Sequence, residues 1–294
     1  MAFIAVNDTT LARDRWPNGI GRLHQDVIDM SQLPTCRIVP RDRDELPGWL
    51  CVDRPGGSSG AIVLAHPDVV GGGHVLLTLR LQGIVEACML RPMGNWNGRG
   101  EQAARAKQLL TLRGDGCVEP FHAQMASLAA IRDAVLQLLP VGNYDRVMPM
   151  PSEAIVLKRR VFTKVIVGRA MDSITLLPQE DPLRKVATVS DLWRITHRVK
   201  TGIEVEGGLI QPTMATNIRR GDLVDVAVMI EVVTMRSKRG RQVEVLFRPE
   251  EVVRLCSAHD VKIALGTGMS PQPELPQATA MSGFAFNEGD AMEH

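Results

Sequence analysis

Apolar residues occupy every second position from Val224 to Val232: Val224, Val226, Val228, Ile230 and Val232. A period of two puts one face of a strand on a core. The basic run Arg236-Ser237-Lys238-Arg239-Gly240-Arg241 interrupts the alternation, and Val243, Val245 and Phe247 resume it around Glu244, Leu246 and Arg248. The two runs predict an antiparallel hairpin with a cationic tip, Phe247 facing inward with Val243 and Val245.

The rest of the chain is patterned more briefly. Pro17, Pro34, Pro40, Pro47-Gly48 and Pro55-Gly56-Gly57 leave room in residues 1–58 for short elements, with one helix at 19–30. Apolar runs at 61–65, 75–81 and 83–90 predict three strands, Gln82-Gly83 forming a turn. Helical spacing then takes over at 101–112 and 119–139. In the second stretch Phe121, Met125, Leu128, Ile131, Val135 and Leu138 recur at intervals of three and four. Glu119-Pro120 suits its first turn and Pro140 its end.

The proline-rich stretch 147–152 marks a boundary. Beyond it, strands are expected at 154–157, 161–167, 173–177 and 202–210, with a short helix at 189–196 capped by Ser190. The pattern predicts an α+β protein: an N-terminal small sheet packed by one or two helices over 1–150, a small β-barrel over 151–265, and a tail over 266–294 whose Gly, Pro and Ser content predicts disorder.

With 45% hydrophobic residues in 294, the chain can bury a substantial core. Cys36, Cys51, Cys88, Cys117 and Cys256 are odd in number and contain no Cys-x-x-Cys pair, which points to a reducing compartment. No run approaches the roughly 18 apolar residues of a membrane span, and no basic stretch precedes the N-terminal apolar patch. A soluble intracellular protein, cytoplasmic or nuclear, is expected. Net charge is only +1, but its distribution is uneven. Residues 1–150 hold 15 basic and 15 acidic side chains, 151–255 hold 18 and 13, and 256–294 hold 1 and 5. The positive middle suggests an anionic partner, the negative tail an internal decoy for one.

Candidate catalytic motifs are incomplete. Gly56-Gly57-Ser58-Ser59-Gly60 lacks the strand-before, helix-after setting of a nucleophile elbow. Gly71-Gly72-Gly73-His74 and Gly94–Gly100 lack the Gly-Lys-Ser/Thr or Gly-x-Gly-x-x-Gly of phosphate loops. The seven histidines include no His-x-x-x-His pair, and Arg220-Gly221-Asp222 reads as turn chemistry. No catalytic residue, cofactor or metal is expected, and an enzyme ranks below a binding or structural role.

Three basic groups remain: Lys158, Arg159 and Arg160; Arg219 and Arg220; and Arg236, Lys238, Arg239 and Arg241. On one barrel they would form a groove that releases counterions from a phosphate backbone. Stacking platforms are scarce, since Phe162, Trp193 and Phe247 are the aromatics of this segment. The same cations would equally keep a hairpin soluble and block edge pairing. Arg220-Gly221-Asp222-Leu223-Val224-Asp225-Val226, a long strand, a Lys/Arg-Gly tip and a second strand ending Val252-Val253-Arg254-Leu255 resemble the central hairpin of an OB-fold. They also resemble a recurring segment in proteins of mushroom-forming fungi. The resemblance implies an OB-like, oligonucleotide-binding barrel. The expectation is therefore a non-catalytic protein that binds single-stranded DNA or RNA, with a scaffolding protein, self-assembling as a homo-oligomer, as the alternative.

Overall fold

The computed structural model describes residues 1–22, 28–54, 60–140, 144–165, 171–237 and 240–266, with only the backbone described for Arg236 and Ser237. The main elements are β1 (Leu50–Asp53), β2 (Gly60–Ala65), β3 (Thr78–Met89), β4 (Lys107–Arg113), α1 (Val118–Gln137), β5 (Ile155–Arg160), β6 (Lys200–Glu204), β7 (Ile210–Pro212), β8 (Leu223–Ser237), β9 (Gly240–Cys256) and α2 (Ala258–Ala264). The architecture is mixed α+β, with one large sheet and few helices.

The sheet runs β7-β6-β9-β8-β3-β4-β5. β8 and β9 form the predicted hairpin, paired from Leu223↔Cys256 to Ser237↔Gly240. β3 pairs antiparallel with the first half of β8, and β2 takes over on the same edge at Glu231–Val233. On the far edge of β9, β6 pairs in parallel at Glu251–Arg254. The sheet thus draws strands from both sides of residue 150. No strand pairing closes it into a barrel among the described residues, so the closed barrel expected over 151–265 is replaced by this open sheet.

The alternation read in the sequence decides which face is buried. Val226 lies opposite Leu81 and Val228 opposite Leu79, while Ile230 faces Phe247 and Val232 faces Val245. These side chains merge into one core with Phe121, Leu128, Ile131 and Val135 from α1. Phe247 points inward, as expected.

Several elements differ from expectation for physical reasons. Gln82-Gly83 is not a turn but lies inside β3, because a Cβ at Gly83 would meet Leu112 Cβ of the next strand at 2.7 Å. A glycine in a strand here marks close backbone approach. Residues 107–113 form β4 rather than a helix, with Gln108, Leu110 and Leu112 on its buried face. Gln108 is tolerated there because its Nε2 donates to Leu90 O at 2.9 Å and Arg91 O at 3.0 Å. Lys158-Arg159-Arg160 does not separate two strands; it is the end of β5. Where a helix was expected at 189–196, Lys185–Val189 makes a 3-10 turn and Trp193–Arg194 pairs with Thr163–Lys164. The 173–177 stretch is not a strand, and Pro17–Gly19 and Met30–Gln32 form short 3-10 turns at the ends of the helix expected over 19–30. Helix α2 was not foreseen, although Ser257 and Asp260 form its capping box. The Pro55–Ser59 stretch and the tail beyond Gly266 lie outside the described residues.

Candidate nucleic-acid interface

Strand β5 alternates so that Ile155, Leu157 and Arg159 are buried while Val156, Lys158 and Arg160 are half-buried. Arg159 takes a core-side position at 2% exposure. A buried guanidinium needs acceptors: its Nη1 donates to Pro249 O at 3.1 Å and Glu250 Oε2 at 2.7 Å. Burial lowers its pKa, and the Glu250 carboxylate opposes that shift. These bonds lay β5 against β9, although the two strands share no ladder.

The neighbouring cations converge on the same hairpin. Lys158 Nζ lies 2.9 Å from Glu244 Oε1, and Lys107 Nζ of β4 lies 3.5 Å from Glu244 Oε2. Arg160 pairs with Glu231 Oε1, while Arg248 reaches Glu231 Oε2 at 3.7 Å and Glu250 Oε1 at 2.7 Å. Five cations, Lys107, Lys158, Arg159, Arg160 and Arg248, therefore share three carboxylates, Glu231, Glu244 and Glu250.

The two signs lie at different depths. The side chains of Glu231 and Glu244 are 9% exposed, those of Lys107 and Lys158 31% and that of Arg160 33%. Around Glu231 and Glu244 the carboxylates lie deeper than these bases, whereas the side chain of Glu250, 26% exposed, is nearer solvent than those of Arg159 at 3% and Arg248 at 19%. Buried carboxylates without partners are costly, so the bases are required for stability; their surplus charge remains at the surface. His197 adds nothing to it at neutral pH, because burial, and then Arg159 and Arg248, push its imidazole pKa below 6.5. Gly60 begins β2 beside this network, where a Cβ would lie 3.1 Å from Glu231 Oε1 and 3.5 Å from Arg160 Nη2.

The other basic groups lie elsewhere. Arg219 and Arg220 are exposed in the turn before β8. There the Arg219 N–H donates to Asp222 Oδ2 at 2.8 Å. Arg236 pairs with Arg241 at the opposite end of the hairpin, where the Arg241 N–H donates to Asp145 Oδ2 at 2.6 Å. Lys238 and Arg239 lie outside the described residues, as does the Arg236 side chain. At about 3.3 Å per residue, β8 spans roughly 45 Å. Among the described residues the basic groups therefore do not converge: Lys158, Arg159 and Arg160 sit against the middle of the hairpin, Arg219 and Arg220 before one end and Arg241 at the other.

Aromatic surface is limited. Phe247 and Phe162 are each 4% exposed, and Phe162 packs edge-on against Trp96 with ring centres 4.8 Å apart. Trp193 is half-buried beside that small cluster. Among the described residues no group of three or more His, Cys, Asp or Glu side chains is placed to hold a metal, and no helix is long and apolar enough to cross a membrane.

Lys107 and Arg248, and the carboxylates Glu231, Glu244 and Glu250, escaped the sequence reading. The pairs that tie the three carboxylates to β4 and β5 span 71 to 137 residues, and isolated charges in alternating strands read as solvent-facing. Clustered bases were the only signal the sequence offered.

Fold and site together define a mixed α+β protein with a basic face laid across its longest hairpin. No family model matches the sequence, and no curated protein matches it. Solved structures of a single-stranded DNA-binding protein from bacteriophage Enc34 resemble the fold at a low level. A C-terminal truncation of that protein gives a TM-score of 0.30 at 11% identity, covering 71% of this chain and 95% of that one. Its complex with single-stranded DNA gives 0.28 at 11% identity, covering 71% and 96%. Likeness at this level establishes neither topology nor ligand.

Proposed function

We propose that this chain binds single-stranded nucleic acid without catalysis, through the basic face formed where β4 and β5 meet the β8–β9 hairpin. The observation that carries the reading is five cations sharing three carboxylates, with Lys107, Lys158 and Arg160 more exposed than the Glu231 and Glu244 they pair with. A surface so layered presents positive charge to a phosphate backbone while its anions are already compensated.

Roles divide among the residues. Lys107, Lys158, Arg160 and Arg248 offer solvent-reaching charge, and Arg159 braces β5 on β9. Arg219 and Arg220 at one end and Arg241 at the other extend the track for a strand lying along the hairpin, and the sequence run that holds Arg236, Lys238 and Arg239 adds to the charge on the Arg241 side. The order β9-β8-β3-β4-β5, with β5 returned to β9 by ion pairs, is read as an OB-like five-stranded arrangement open along one seam. With few open aromatic rings, binding rests on phosphate contacts and is insensitive to base sequence.

Titration of a fluorescein-labelled 20-nucleotide oligo-dT at 50 mM and 200 mM salt tests the reading. Binding at low salt that weakens steeply at the higher concentration is expected. No binding at 50 mM contradicts it.

A further inference from the structure

A second surface has the opposite sign. Residues of the N-terminal segment enclose an open cleft of about 820 Å³, within the range of ligand-sized clefts. Its walls are apolar, with Met30, Ile38, Val39 and Val69. Its rim carries Asp8, Asp42, Glu45 and Asp68, all exposed, against one guanidinium, Arg41, which donates to Asp8 Oδ1 at 2.6 Å. Three negative charges remain in excess.

Trp49, 4% exposed, completes the apolar wall.

We propose that this cleft docks a basic peptide segment of a partner protein, laid extended with apolar and cationic side chains alternating. The chemistry selects that occupant. The side chains of Asp8 and Asp68 are 92% and 90% exposed, and contacts to such solvated carboxylates are individually weak. A small monocation gains little from them, whereas several cations on one chain act together. An extended peptide alternates its side chains, so apolar ones meet the wall while basic ones meet the rim. The assignment is independent of the nucleic-acid reading, which uses the face of opposite charge.

Fluorescence anisotropy with labelled Lys-Leu-Lys-Leu-Lys tests it, alongside Glu-Leu-Glu-Leu-Glu and Lys-Ser-Lys-Ser-Lys, on wild type and on the surface double variant Asp42→Asn/Glu45→Gln. Saturable binding of the Lys-Leu peptide is expected, weakened about tenfold in the double variant and about tenfold when Ser replaces Leu. Oligo-dT binding should be unchanged in that variant. Equal affinity for the Glu peptide, an unaffected double variant, or no saturable binding overturns the proposal. Self-association in sedimentation that the double variant abolishes also overturns it, by giving the cleft to a second copy of this chain.

Discussion

The two faces of the β8–β9 hairpin obey different rules. On one, Val224, Val226, Val228, Ile230 and Val232 bury themselves against whatever apolar surface faces them, here α1 and β3. On the other, Asp225, Glu231 and Glu244 are almost as deeply buried yet must each find a specific partner. Asp225 takes Arg80 Nε at 2.5 Å and Gln82 Nε2 at 2.7 Å; Glu231 and Glu244 take the bases of β4, β5 and β9. The apolar face needs a pattern, and the polar face needs named residues at distant positions. Stability therefore rests on both, while the proposed nucleic-acid surface uses only the second.

The largest effect is expected from Phe247→Ala on the apolar face. Removing a buried ring should cost about 3–5 kcal/mol in chemical denaturation. Asp225→Ala removes no comparable volume but leaves Arg80 without that carboxylate in a buried setting. A loss of about 3 kcal/mol is expected, close to the aromatic truncation. A loss below about 1 kcal/mol would break the comparison by making the polar face dispensable.

The smallest effect concerns pH. His197 has a folded pKa below its unfolded value near 6.5, lowered first by burial and then by Arg159 and Arg248. The unfolded state then binds the proton more readily, so stability contributed above pH 6.5 is lost as pH falls through 6.5 toward the folded pKa. His197→Gln should flatten the fall in melting temperature below pH 6.5. An unchanged profile would detach His197 from the basic network.

How much of this was legible follows from the same contrast. The hairpin, its inward Phe247 and helix α1 could be read because each declares itself within a few turns or strand steps. β4 was misread because Leu109 and Leu110 in KQLLTLR fit helical spacing as well as alternation, and only neighbours β3 and β5 decide between them. The long β3 was cut in two because Gly83 signals a turn locally but a close strand approach in three dimensions. Lys158, Arg159 and Arg160 were found as bases, but adjacent residues in a strand point to opposite faces. Arg159 therefore became a buried brace while Lys158 and Arg160 kept their reach to solvent. The carboxylates they pair with come from another strand pair, and no local pattern announces such partners.

The most direct test of the basic face is the salt dependence of oligo-dT binding by Lys107→Gln/Lys158→Gln, with Glu244→Gln added so that no buried carboxylate is stranded. Removing one lysine–phosphate interaction should lower the slope of log affinity against log salt by about 1, so a slope shallower by about 2 and weaker binding at 50 mM are predicted. A folded variant, verified by circular dichroism, that retains wild-type affinity and slope would contradict the account.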